Sequence, residues 1–143
     1  MNGTKITIAP TPYTPTVVRG NSTDSVHWAR EAARAFADSL TPAPDPATAD
    51  TLVLVVSELA TNALRHGGGR YTIELSATTD AIIAAVSDPS PAPPLERTPD
   101  LNGGSGGFGW HMVRRLTTDL TITPGPGPGA GKTIHARLPR LGT

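Results

Sequence analysis

The sequence contains no cysteine. That excludes disulfide staples and thiolate metal sites, and it fits a reducing interior. Lysine is scarce, with only Lys5 and Lys132, and the 12 basic and 12 acidic residues cancel to zero formal charge. Such a balance carries neither a nucleic-acid footprint nor a polybasic membrane patch. Long apolar runs are missing too. A run such as Leu52–Val56 is far too short to span a bilayer. The N-terminus Met1-Asn2-Gly3-Thr4-Lys5 leads into no apolar segment of a secretory signal. The expectation is a cytoplasmic protein with no nucleic acid and no membrane among its partners. The 143 residues make one ordinary domain, 1–143. A domain near this size buries about 68–70% of its unfolded surface and needs no staples.

Proline and glycine are plentiful, and they punctuate the chain. Residues 1–21 read as a strand, Lys5–Ala9, followed by a segment interrupted by Pro10, Pro12 and Pro15. Up to Gly20 only an edge strand or a loop tolerates that. Asn21-Ser22-Thr23-Asp24 offers helix N-caps, and Val26, Ala29, Ala33, Phe36, Ala37 and Leu40 then recur at helical spacing. Thr41-Pro42-Ala43-Pro44-Asp45-Pro46 is a stiff connector. A second helix runs from about Ala47 to Arg65 and stops at Gly67-Gly68-Gly69. Tyr71–Ala77 and Ala81–Ser87 form a strand pair around the turn Thr78-Thr79-Asp80, the second strand the more buried. Residues 88–107 have no periodicity, and a loop that long is usually functional or disordered. Phe108–Leu116 is a third helix, with Trp110, Met112, Val113 and Leu116 as its apolar positions. Leu120–Thr123 and Thr133–Leu138 are strands joined by a Pro/Gly loop. Short turns between the late strands predict an α+β fold, with a mostly antiparallel sheet and helices on one face.

The second helix carries the strongest chemical signal. Glu58 and Asn62 are four residues apart, so they share a face, and His66 extends the row. Their neighbours Leu52–Val56, Leu59, Ala60, Ala63 and Leu64 are apolar, as in a buried helix. An acid and an amide in such a place need a partner, and a cation with a phosphate would serve. His66 either reaches that phosphate or caps the helix.

Two glycine patterns do not hold as nucleotide motifs. In Gly131-Lys132-Thr133 the register of a P-loop would put its first glycine at Pro126, and a strand rather than a helix follows. Gly104-Ser105-Gly106-Gly107-Phe108-Gly109 fits a dinucleotide fingerprint in letters, but a Pro-rich loop stands where a strand is required. Gly106-Gly107-Phe108-Gly109 instead opens a helix, whose N-terminal amides favour anions. Asp88 ends a buried strand and precedes Pro89. It is either a plain turn former or an acceptor for the exocyclic amine of a base. Thr133 could support it directly or through water. Trp28 and Trp110 read as packing residues.

Glu58…Asn62, Asp88, Gly107-Phe108-Gly109 and Gly131-Lys132-Thr133 occur in this order from about residue 22 onward. The pattern resembles the GHKL ATPase superfamily of gyrase-type ATPases, histidine kinases, MutL and heat-shock chaperones. It is most similar to the small stand-alone branch of anti-sigma-factor serine/threonine kinases, whose N-box matches Ser57–Gly67. The resemblance implies a two-layer Bergerat-type sandwich with a mobile ATP lid over 88–107. It implies ATP and Mg²⁺ as cofactors, with Asn62 as the metal-holding residue and Glu58 as general base. It further implies Asp88 at the adenine amine, Thr133 assisting there, and His66, Gly107 and Gly109 along the phosphates. Implied partners are a sigma factor and an anti-anti-sigma antagonist that is phosphorylated, and relatives often form homodimers.

Two departures stand out. The family's Asp-x-Gly-x-Gly is here Asp88-Pro89-Ser90-Pro91-Ala92, and Trp110 replaces the aliphatic residue usual after Gly-x-Gly. Proline fixes φ and removes a donor, so the loop is stiffer and offers fewer amides. Besides the kinase, two readings stay open. One is a degenerate nucleotide-binding partner switch without catalysis. The other is the catalytic domain of a split histidine kinase, disfavoured because no dimerising helix pair with a phosphoacceptor histidine precedes it.

Overall fold

The computed structural model describes residues 16–92, 108–127 and 130–140. The strand expected over 5–9, Gly107 and the expected lid from residue 93 onward lie outside the described residues. The described elements are β1 (Thr16–Gly20), α1 (Ser25–Ser39), α2 (Pro46–His66), β2 (Tyr71–Ala77), β3 (Ala81–Asp88), α3 (Phe108–Leu116), β4 (Asp119–Pro124) and β5 (Lys132–Pro139). The strands form one sheet in the order β1-β2-β3-β5-β4, with every pair antiparallel. The α+β expectation is met.

Strand parity sorts the side chains. Tyr71, Ile73 and Leu75 of β2, Ala84 and Val86 of β3, and Ile134, Ala136 and Leu138 of β5 are buried against the helices. Their alternates Thr72, Glu74, Ala85, Ser87, Thr133 and His135 line the opposite, more open face. Among the described strands β1, which follows the Pro-rich stretch in sequence, is an edge strand, as the sequence predicts.

In α1 the buried residues are Val26, Ala29, Ala33, Phe36 and Ala37, with Leu40 just beyond, the apolar positions read from the spacing. Its N-cap differs from expectation. Asp24 has helical backbone angles and makes no side-chain cap, whereas a capping side chain normally works from an extended residue. Ser25 takes part instead: its Oγ donates to Ser22 O at 2.5 Å and lies 2.8 Å from the Tyr71 hydroxyl. Trp28 is not a packing residue. It is 66% exposed, whereas Trp110 is buried in the core.

The start of α2 is set by two residues of the connector. Asp45 is extended and its Oδ1 accepts the Thr48 N–H at 2.9 Å, while Pro46 fills the first turn, where its missing donor costs nothing. Leu52, Val55, Val56, Leu59, Ala60 and Ala63 then bury one side of α2 against α1, α3 and the sheet. By length and composition α2 could cross a membrane, but here it is the central core helix. Arg140, also buried, ties the far end together. Its guanidinium donates to Thr78 O at 2.8 Å and to Thr41 O at 3.0 Å.

Candidate functional site

Glu58 and Asn62 both lie half-buried on α2, one helical turn apart. Among the described residues neither side chain has a hydrogen-bond or ion-pair partner. Their row runs along α2 toward Gly67, over roughly 13 Å from Glu58 at the helical rise per residue. His66 is exposed in the last turn. Among the described residues its ring has no hydrogen bond to the helix end, where the N–H groups of Gly67 and Gly69 take the Ala63 carbonyl, at 2.9 and 3.3 Å.

Asp88 stands where α2 ends. It is the last residue of β3 and shares the inward parity of Val86, and it is 8% exposed. Gly67 lies directly against its carboxylate. The Gly67 carbonyl accepts the Ser90 N–H at 3.1 Å, which fastens the chain after Asp88 onto the helix end.

The carboxylate itself is already engaged. Asp88 Oδ1 accepts the Ser90 N–H at 2.9 Å and the Lys132 ammonium at 2.9 Å. Lys132 Nζ also donates to Ser90 O at 3.1 Å. The side chains of this ion pair are 5% and 3% exposed for Lys132 and Asp88. Charges buried to this degree survive only when paired and hydrogen-bonded, as these are.

Thr133, expected beside Asp88, is placed elsewhere. In the β3–β5 register Asp88 pairs with Lys132, and Thr133 pairs with Ser87. Its hydroxyl lies 2.7 Å from Ser87 Oγ on the face away from the helices. Neighbours along a strand point to opposite faces, so Thr133 cannot share Asp88's side of the sheet. The residue that does is Lys132. Its signal was present in the sequence, because Lys132 is in phase with Ile134, Ala136 and Leu138 on the core face of β5. Gly131 makes the approach feasible: it has φ +88° and packs against the Asp88 carbonyl, where a side chain would collide.

Gly109 falls in the first turn of α3, and Gly107 lies outside the described residues. Trp110 and Val113 anchor α3 in the core against α2. A cleft of about 600 Å³ opens where β1, β2 and β3 end, lined by Arg19, Arg70, Tyr71, Asp88 and Pro89 among others. Glu58 and Asn62 do not line it, so the two ends of the expected site do not share this cleft.

Residues 21–138 match the histidine kinase-like ATPase domain, which is most of the chain. The chain belongs to that family. A solved structure containing the RsbU and RsbW domains of Rv1364c from Mycobacterium tuberculosis shares the fold, with a TM-score of 0.64 at 18% identity. The likeness covers 94% of this chain and 35% of that one, so this chain spans about a third of the length of the chain it matches. No match to a curated protein was found.

For this histidine kinase-like ATPase domain the question is which residues suit a metal and a nucleotide. Among the described residues no cluster of three His, Cys, Asp or Glu could cage a metal. Mg²⁺ in phosphate sites commonly takes only one or two protein oxygens and completes its shell with phosphate and water. The Asn62 carboxamide, unpaired among the described residues and with Glu58 one turn away, fits that limited role. The base end fits less well, because Asp88 already carries a cation.

Proposed function

We propose that the chain is an ATP-dependent regulatory kinase domain. Its phosphoacceptor is a serine or threonine hydroxyl on an anti-anti-sigma partner, and a sigma factor is its second partner. The observation that carries this reading is the half-buried Glu58–Asn62 pair, polar, on one face of α2 and without a described protein partner. Family membership and the sigma-regulator-type N-box in Ser57–Gly67 support it.

In this reading Mg²⁺-bound ATP supplies the transferable phosphoryl group and the charge that neutralises it. Asn62 holds the metal through its carboxamide oxygen. Glu58 takes the proton from the attacking hydroxyl, and its half-buried position limits competing water. Gly109, in the first turn of α3, borders the phosphates with the amides of the helix N-terminus. Asp88 marks the base end, where its carboxylate already carries the Lys132 ammonium. Phosphoryl transfer is mostly positioning and charge stabilisation, so these few groups suffice.

Incubating the protein with Mg²⁺-ATP and a candidate antagonist tests the kinase. The expected product is phosphoserine or phosphothreonine on the antagonist, absent with Glu58→Gln. ATP binding without transfer to any hydroxyl of the antagonists offered would sink the kinase claim. The second reading is a binding switch without catalysis. The proline-rich stretch after Asp88 and the cation already on Asp88 favour it. Regulation of the partner in cells by Glu58→Ala, undiminished, is its expected result.

A further inference from the structure

We infer that Lys132 stands in for the amine of the base. It occupies Asp88 so that nucleotide binds through its phosphates and the base goes unread. This rests on the nucleotide reading proposed above and deepens it at the base end.

The geometry is specific. Oδ1 of Asp88 is taken by the Lys132 ammonium and the Ser90 N–H, both at 2.9 Å. The other oxygen faces Gly67 so closely that a β-carbon there would come within 2.5 Å of it. Lys132 is held in turn by Ser90 O and by the β3–β5 register, which sets it directly across from Asp88. A base amine is a neutral donor. The ammonium adds ion-pair attraction to its hydrogen bond in a place shielded from water, which a neutral amine cannot do, so exchanging one for the other is uphill. It would also leave the ammonium of Lys132 to find another acceptor in a region it shares with apolar residues of the core face. The phosphate end, with Glu58 and Asn62, is untouched by this pair.

The test is calorimetric titration of the full chain with Mg²⁺ and three ligands: ATP, GTP and inorganic tripolyphosphate. Wild type is expected to bind all three within about threefold of one another. Lys132→Thr keeps a strand-forming residue and a short hydroxyl donor but removes the ammonium. It is expected to tighten ATP about tenfold or more while leaving tripolyphosphate unchanged. ATP binding to wild type more than about tenfold tighter than both GTP and tripolyphosphate would overturn the inference and leave the nucleotide reading standing. Unchanged ATP affinity in a folded Lys132→Thr would overturn it as well. Should that variant fail to fold, the three-ligand comparison on wild type decides alone. Absence of binding by all three ligands to wild type and variant would remove the nucleotide reading, and the inference with it.

Discussion

Gly67 and Asp88 touch across the end of α2: a β-carbon built on Gly67 would lie 2.5 Å from Asp88 Oδ2 and 2.6 Å from Cγ. The helix stop and the buried carboxylate are therefore one structural unit. Gly67→Ala is expected to push the carboxylate off Lys132 and destabilise the fold. Overpacking of this kind costs about 1–3 kcal/mol. Urea unfolding at neutral pH checks it, and a midpoint equal to wild type would contradict the contact.

The Asp88–Lys132 pair gives a sharper test. Removing one partner leaves the other buried and uncompensated, which costs about 3–5 kcal/mol. Asp88→Asn and Lys132→Met are each expected to lose stability in that range. The double variant is expected to lose clearly less than the sum, because no lone charge remains. A thermodynamic cycle from denaturant unfolding reads the coupling. Strictly additive losses would mean the pair is not formed.

On α2, Glu58 and Asn62 separate chemistry from binding. Glu58→Gln is expected to slow phosphoryl transfer by about 10²–10⁴-fold, with nucleotide affinity within a few-fold of wild type. Asn62→Ala is expected to abolish the Mg²⁺ dependence of nucleotide affinity. Titration with and without Mg²⁺ checks the second, and single-turnover kinetics the first. Equal Mg²⁺ dependence in wild type and Asn62→Ala would remove Asn62 from the metal.

Asp45 makes the α2 cap pH-sensitive. Hydrogen bonding from the Thr48 N–H, then from its side chain, holds the Asp45 carboxyl below its ordinary value. A depressed carboxyl contributes stability above its unfolded pKa and loses it as pH falls through the folded one. Asp45→Ala is therefore expected to lower Tm at neutral pH. The gap from wild type should close at acidic pH, once both folded and unfolded carboxyls are protonated. A gap that stays constant with pH would point to a role other than capping.

Much of the fold was legible in the sequence because it is local. Val26, Ala29, Ala33, Phe36, Ala37 and Leu40 face inward at the spacing that predicts them, and the row Glu58–Asn62 follows from the same 3.6-residue period. The cap at Asp45 was also local, but the surrounding prolines read as a connector. Trp28 misled because an aromatic residue on an amphipathic helix reads as core, while its phase turns it to solvent.

By itself the sequence determined which helices and strands form, where they break, and that Glu58 and Asn62 share a helix face. These depend on spacing and on backbone preferences within a few residues. Only the tertiary structure decided what meets Asp88. Lys132 lies 44 residues away, and strand parity alone does not say which residue of β5 stands across from it. The β3–β5 register does, pairing Asp88 with Lys132 and sending Thr133 to Ser87 on the other face.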